Sequence, residues 1–525
     1  MSFLGAQNSI ALGVQGLIHI DTGGGAGGSA DYLLAKSLRF RSSASAYLNR
    51  TASASISTYT VSMWVKRGTL TSTYQYLFSH PNSGNTDGYG LAFNITTDTL
   101  YYYNGTAQAT TAAYRDPAAW YHIVFSNNAG SFTLYVNGVS VKTGTATAIP
   151  SGAVMNLGRY GFSPGFYFDG EQAEVNFVDG QALLPTAFGA FSAYNQWLPI
   201  AYAGTYGTNG FYLPFTNTAS TSTLVADSSG NANNWTPNNI SLTAGSTYDS
   251  LTDVPTLTSE TVANYAVLNP LDKGTGLTLS NANLTYATSG GAAAYMVRAT
   301  VQIPATGKYY WEATVVSGAP LLAGIATANA GLAKYVGEDV YGWGYFSTNG
   351  IVYNNNATLA TYSTATTNDV IGFAFSSDAQ TFAIYKNNTI MGTLTGFTLS
   401  GTYFPAAGSL TSGGNVNFGQ RPFAYTPPTG FLPLNTFNIA AGTVTTSGTF
   451  TGNLSTDGPM VYLNGTPTAM TINGNAVTFG THADKLANGF KVRSSSVLYN
   501  LIGSNTYVAT TVGAVFKYED AQGNP

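Results

Sequence analysis

Two glutamates three residues apart, in Glu171-Gln172-Ala173-Glu174, come closest in this sequence to a hydrolytic pair. Cleaving a glycosidic bond needs two carboxylates a few ångströms apart, one donating a proton and one attacking or activating water. Alternate residues of a strand share a face, so a Glu-x-Asp-x-Glu pattern would bring such groups together. A spacing of three sends them to opposite faces unless a bulge intervenes. The pair therefore reads as turn and strand-surface residues, and Glu260, Glu312, Glu338 and Glu519 stand alone. The histidines, His19, His80, His122 and His482, are widely separated, and no pair has the spacing of zinc ligands. With no cysteine, disulfides and thiolate sites are excluded. Glycine-rich strings lack the following helix that a serine nucleophile elbow requires. His122 lies in Trp120-Tyr121-His122-Ile123 and is expected to be a hydrogen-bonded structural residue, whereas His80, before Pro81, is expected in an exposed loop. The glycine run at 23–28 lacks a Gly-Lys-Ser/Thr ending and reads as a hinge rather than a phosphate loop. These patterns predict no catalytic residues.

Binding is the other chemistry available. Sugars present an apolar ring face and a polar rim, and are held by aromatic rings with amide or hydroxyl partners on loops above a rigid sheet. The stretch Ser79 to Tyr89 has that mixture, which makes His80, Asn82, Asn85 and Tyr89 candidates. Tyr341 to Gly350 has it too, adding Trp343, Tyr345 and Asn349. Trp343 and Tyr345 serve equally well as core or subunit-interface residues. Trp64 and Trp311, inside alternating runs, are expected in the core.

The elements that must position these residues are almost all strands. Helical periodicity is nearly absent, and short alternating runs are punctuated by Gly, Asn, Pro and Asp. Asn-Gly at 104–105, 137–138, 464–465 and 473–474 marks turns; Phe132–Val136, Asn137-Gly138 and Val139–Lys142 form the clearest hairpin, because both turn residues tolerate positive φ. The 525 residues are 44% hydrophobic, 13% aromatic and only 8% charged, so large cores must be covered by uncharged polar residues. A net charge of −4 offers no footprint for nucleic acid, and no apolar run is long enough to span a membrane. Residues 1–30 show no secretion signal, which fits a protein released by lysis, such as a virion component. Five regions follow: a segment at 1–35 containing the glycine hinge, a dense β region at 36–190, an Asn-, Thr- and Ser-rich connector at 191–260, a second β region at 261–430 closed by Pro427-Pro428, and a small β module at 431–525. Neither a repeat nor a heptad is visible.

Residues 36–190 resemble the laminin-G-like, concanavalin A-type lectin domain. The landmarks are Ser37–Phe40, Tyr59–Lys66 with an inward Trp64, Trp120–Phe125, the Asn137-Gly138 turn and Phe168–Phe177. Residues 295–425 resemble a SPRY domain through Gly307–Glu312, Asn368–Phe375, Thr381–Asn388, Phe404–Ala407 and Asn417–Phe423. The connector at Ala226–Thr236 and the stretch Ala483–Arg493 are similar to segments of bacteriophage structural proteins that also pair these two domains. The fold class implied is all-β: two concanavalin A-like antiparallel sandwiches and a C-terminal β module. The function implied is a phage virion fibre or adhesin, not an enzyme, that recognises a host-surface glycan or other receptor. Its partners would be copies of itself, as a homotrimer, and other virion proteins met through the N-terminal segment, without nucleic acid or membrane insertion. The alternatives are a capsid or neck decoration protein with a structural role and, third, a glycan depolymerase. Laminin-G-like domains often hold one Ca²⁺, for which Asp87, Asp98 and Asp169 are the available acids; otherwise no cofactor is expected.

Overall fold

The computed structural model describes residues 32–439, with breaks at 71–72, 164, 193–195, 289–293, 317–319, 397–402 and 410–412, and seven short strands between 449 and 510. The N-terminal segment with its run of glycines, apart from 32–35, lies outside the described residues, as do His482 and the Asn-Gly pairs at 464–465 and 473–474.

Strands dominate the first half: β1 (Ser37–Phe40), β2 (Tyr47–Thr51), β3 (Tyr59–Arg67), β4 (Gln75–Pro81), β5 (Gly88–Phe93), β6 (Thr99–Tyr103), β7 (Ala107–Ala113), β8 (Trp120–Asn128) and β9 (Ser131–Val136). They continue with β10 (Val139–Thr145), β11 (Val154–Leu157), β12 (Gly170–Asp179), β13 (Gly189–Phe191), β14 (Trp197–Pro199), β15 (Phe211–Leu213), β16 (Thr236–Asn238) and β17 (Ser250–Leu251). One sheet runs β10-β9-β8-β3-β12-β1-β17, with β15 also on β12; the other runs β16-β2-β11-β4-β5-β6-β7. The β9–β10 hairpin turns on Asn137 (φ 48°) and Gly138 (φ 80°), pairing Val136 with Val139 as the sequence predicts. The Asn-rich connector supplies β15, β16 and β17, so it completes both sheets rather than hanging between domains.

In β3, Tyr59, Val61, Met63 and Val65 face the other sheet and enter the main core. Trp64 does not: its ring packs with Leu34, Trp120, Ala173, Trp197 and Val254 on the outer face of the first sheet. The inward orientation expected of Trp64 is thus reversed. It is buried because residues 32–36 and 249–265 roof that face; their place over the sheet is a tertiary fact that strand alternation cannot reveal.

The second sandwich comprises β18 (Leu268–Lys273), β19 (Leu277–Ser280), β20 (Thr285–Thr288), β21 (Tyr295–Ala299), β22 (Lys308–Val315), β23 (Leu322–Thr327), β24 (Gly342–Phe346) and β25 (Ile351–Asn354). It is completed by β26 (Ala357–Thr361), β27 (Val370–Ser376), β28 (Thr381–Lys386), β29 (Thr389–Thr395), β30 (Tyr403–Ser409), β31 (Gly413–Asn417) and β32 (Leu432–Pro433). Its sheets run β18-β21-β30-β23-β24-β25-β26 and β19-β20-β31-β22-β27-β28-β29, with β32 parallel to β22. Trp311 lies in the core between them, stacked with Phe373 and Phe382. Leu434 joins the same core and Asn435 bridges Tyr265, so the sandwich continues past residue 430.

Both sandwiches fall in one compact unit, and residues 441–525 fall in another. Two polar locks join the sandwiches. Lys66 Nζ donates to Asp253 at 2.7 Å, to Asn264 Oδ1 at 2.7 Å and to the Tyr265 carbonyl at 2.8 Å. Between β19 and β20, Asn281, Ala282 and Asn283 all have positive φ (58°, 60°, 58°), which turns successive N–H groups toward one point. That point is the Asp169 carboxylate, which accepts from Asn281 N at 3.0 Å and Ala282 N at 2.7 Å. The approach requires Gly68, where a Cβ would stand 2.5 Å from Asp169 and 2.9 Å from Ala282. In the second unit, β33 (Thr449–Phe450), β35 (Met470–Ile472) and β36 (Asn475–Val477) form one small sheet, β34 (Val461–Leu463) pairs β37 (Phe490–Val492), and β38 (Leu498–Ile502) pairs β39 (Thr506–Thr510). Among the described residues, no helix is long and apolar enough to cross a membrane.

Candidate functional site

The two glutamates of β12 do share a face. The strand carries a bulge, with Ala173 opposite Trp64 but Asn176 opposite Ser62, and Glu174 at φ 52°. Gln172, reaching Leu77, and the core residues Val175 and Phe177 point inward, while Glu171 and Glu174 both point to the roofed outer face. The strict alternation assumed from the sequence fails here, and so does the expectation of surface residues: Glu171 is 1% and Glu174 5% exposed. Burial raises the pKa of both, that of Glu174 to about 7. Glu171 accepts from Ser37 Oγ, and the two carboxyl oxygens of Glu174 are in hydrogen-bond contact with the hydroxyls of Tyr32 and Tyr212. Lacking solvent access, they cannot flank a sugar chain.

A serine–histidine contact also exists, unmarked by any motif. Ser62 Oγ lies 2.9 Å from His122 Nε2. Trp197 Nε1, which can only donate, lies 2.9 Å from His122 Nδ1. Nδ1 must therefore be bare, and Nε2 carries the proton that it gives to Ser62. That is the reverse of the bond by which a base activates a serine. Burial lowers the His122 pKa to about 3, and its ring stacks on Trp64, with centroids 4.9 Å apart, and on Trp197.

His80 belongs to β4 and is fully buried, its Nδ1 2.8 Å from the Pro81 carbonyl and its pKa lowered to about 4 by burial. It is not the exposed loop residue expected, because β4 continues through it to Pro81 and Gly161 packs against its backbone. Asn82 is half-buried and ties the exposed loop, its Oδ1 accepting from Thr86 N and Asp87 N. Asn85 is exposed at the turn, with φ 48°, and Tyr89 is half-buried, edge-on to His80 and Tyr103. In the second sandwich, residues 342–346 are strand β24 rather than loop. Tyr345 is a core residue, fully buried with its hydroxyl on the Ser363 carbonyl. Trp343 is half-buried, edge-on to Tyr403, and Asn349 is exposed, donating to Tyr353.

The three aspartates do not converge. Asp98 is buried between Arg67 (3.0 Å) and Arg115 (2.8 Å); Asp169 is filled by Ser42, Asn281 and Ala282; Asp87 accepts from Tyr160 and Gly88 N. No group of three metal-ligating acids or histidines occurs among the described residues. Their lone pairs serve the fold, so a shared calcium cage is not formed.

What the structure gathers instead is aromatic. On the outer face of the second sheet of the first sandwich, Tyr76 and Tyr101 form a cluster with Tyr74, Tyr103 and Tyr160. Tyr76 lies 5.0 Å from Tyr160, and Phe166 packs 5.4 Å from Tyr74 and 5.7 Å from Tyr160. Phe166 and Phe162 are 42% and 44% exposed at the rim. Tyr160 donates to Asp87, connecting this face to the Asn82 loop, and Arg159 covers the Tyr47 ring at 4.0 Å. Tyr74-x-Tyr76 and Tyr101-x-Tyr103 were readable as one-faced pairs; what the sequence hid was that β4 and β6 flank β5 in one sheet. A separate shallow hollow of about 520 Å³ at residues 204–208, Ser229 and Asn231 has Tyr206 as its one titratable lining residue.

Residues 40–187 match the family described as the concanavalin A-like lectin/glucanases superfamily, laminin G type, and residues 308–421 match the SPRY domain family. The first sandwich is a concanavalin A-like domain; the second is a SPRY domain. Solved structures similar to the SPRY domain include that of human HERC1, at 14% identity over 30% of this chain and 99% of that chain, with a TM-score of 0.27. The TRIM65 PSpry domain is 11% identical over 29% of this chain and 89% of that one, TM-score 0.25. A human SPRY domain is 19% identical over 27% and 94%, TM-score 0.23. No curated protein matches the chain. In the concanavalin A-like domain the tyrosine face and the Asn82 loop make the candidate binding site, and Trp343 and Asn349 remain at the surface of the SPRY domain.

Proposed function

We propose that this chain is a non-catalytic phage virion fibre adhesin that binds a host-surface glycan through the tyrosine face of its concanavalin A-like domain. The observation that carries the reading is the half-buried rings of Tyr74, Tyr103 and Tyr160, seated on buried Tyr76 and Tyr101 and edged by exposed Phe162 and Phe166 and by the amides of the Asn82 loop. Rings of this kind receive the apolar face of a pyranose, and hydroxyls and amides receive its rim. The non-catalytic part is supported by the reversed Ser62–His122 bond and by the burial of Glu171 and Glu174. In this reading three copies assemble, weak single sites add by multivalency, and the N-terminal segment joins other virion proteins. The structural-decoration alternative draws on the two locks, which suit a stiff spacer.

The test is glycan-array and host-cell binding by the purified full chain, with Phe166→Ala and Tyr74→Ala as variants. Loss of binding by tenfold or more with unchanged circular dichroism is expected, since one stacked ring contributes on the order of 1 kcal/mol per site. Undiminished binding by both variants would move the site elsewhere, and no binding by the wild type would favour the decoration reading. Release of reducing ends from a host polysaccharide would establish a depolymerase instead.

A further inference from the structure

Residues 32–36 form a strap that enters the concanavalin A-like domain across its roofed face. Leu34 anchors it: its side chain packs among Trp64, Trp120, Trp197 and Val254, its N–H donates to Thr256 Oγ1 at 3.1 Å, and its carbonyl accepts from Thr258 at 2.8 Å. The other anchor is Tyr32. Its hydroxyl lies 2.7 Å from Glu174 Oε1 and 2.8 Å from the Tyr212 hydroxyl, which lies 2.9 Å from Glu174 Oε2. Four oxygens, two from the phenols and two from the carboxyl group, form a closed ring with three hydrogen bonds, which need three protons. The phenols supply two, since burial and the Glu174 carboxyl hold both above their ordinary pKa. The third can come only from the carboxyl group. With Glu174 ionised, both hydroxyls turn toward it, and the Tyr32–Tyr212 contact becomes two oxygens facing each other without a proton.

We infer that Glu174 is a proton-operated clasp: as the neutral acid it completes the ring that holds the strap at Tyr32, and as the carboxylate it opens that ring. Among the described residues, the ionisable groups around it are Tyr32 from the strap, Tyr212 from β15 and Tyr206 from the preceding loop, which donates to Asn176. The bulge supplies the orientation, because φ 52° at Glu174 turns the side chain out of the core. Burial raising its pKa from 4.5 to about 7 agrees with the proton count. A carboxyl group raised on docking favours the docked strap most below pH 4.5, less as pH rises to 7, and not at all above.

Hydrogen exchange at the Leu34 amide of the full chain, corrected for intrinsic rate, reads the clasp. Protection is expected to fall on the order of tenfold to a hundredfold between pH 5 and pH 8. Glu174→Gln, which offers one donor and one acceptor at any pH, is expected to keep its protection at pH 8. Equal protection of the wild type at both values, or a Gln variant that follows the wild type, overturns the inference. Should Glu174→Gln fail to fold, Tyr32→Phe serves, with infrared detection of the protonated carboxyl: its titration must move when one hydroxyl leaves the ring, and an unmoved titration also overturns the inference.

Discussion

At the scale of single residues, hydrogen-bond direction decides more than proximity. Ser62 and His122 are as close as a nucleophile and its base, yet an indole that only donates fixes the ring in the tautomer that cannot take the serine proton. Ser62→Ala should therefore cost about 1–3 kcal/mol of stability by leaving a buried N–H without an acceptor, as measured by urea unfolding, and serine-directed phosphonates should leave Ser62 unlabelled. The neighbourhood of His122 was legible in part: Trp120-Tyr121-His122-Ile123 reads as a strand, but Trp197 comes from 75 residues away and has no sequence signal. His80 precedes a proline, a pattern that suggests a loop, but here the strand ends at that proline. Both histidines are held neutral, His122 near 3 and His80 near 4, well below the ordinary 6.5. Their contribution is present above pH 6.5 and is lost as pH falls toward those values; from pH 7 to pH 5 each should remove about 2 kcal/mol. Comparing the pH dependence of urea unfolding with that of His80→Gln checks it, since the variant should lose about 2 kcal/mol less between pH 7 and pH 5 than the wild type.

At the scale of elements, the alternation of Tyr59, Val61, Met63 and Val65 sufficed to place one face of β3, and the Asn137-Gly138 turn to place a hairpin. The other face could not be read. Thr60, Ser62, Trp64 and Lys66 look like a solvent face with one stray tryptophan until residues 181–183, Trp197 and residues 249–265 cover them. The β12 bulge was similarly invisible, since nothing in Glu171-Gln172-Ala173-Glu174 forces positive φ onto a glutamate. The hairpin makes a sharp prediction. Gly138 has φ 80°, and a Cβ there would come within 2.5 Å of the Trp197 ring. Gly138→Ala should cost at least about 1–3 kcal/mol and should disturb the His122 stack, visible as a change in near-ultraviolet circular dichroism.

At the scale of the whole molecule, the two sandwiches are joined through groups removed from water. Lys66→Ala should cost about 3–5 kcal/mol by stranding Asp253, and Lys66→Met much less, as compared by thermal unfolding. Because the carboxylates at 87, 98 and 169 are occupied by donors of the chain itself, chelation with EDTA should leave the melting temperature within about 1 °C. The lock that receives Asp169 also sets how the molecule answers force. A tug on one sandwich passes to the other without a hinge, through bonds that have no water waiting to replace them. Such a joint bears load stiffly and then parts all at once, where a wet, screened contact would creep.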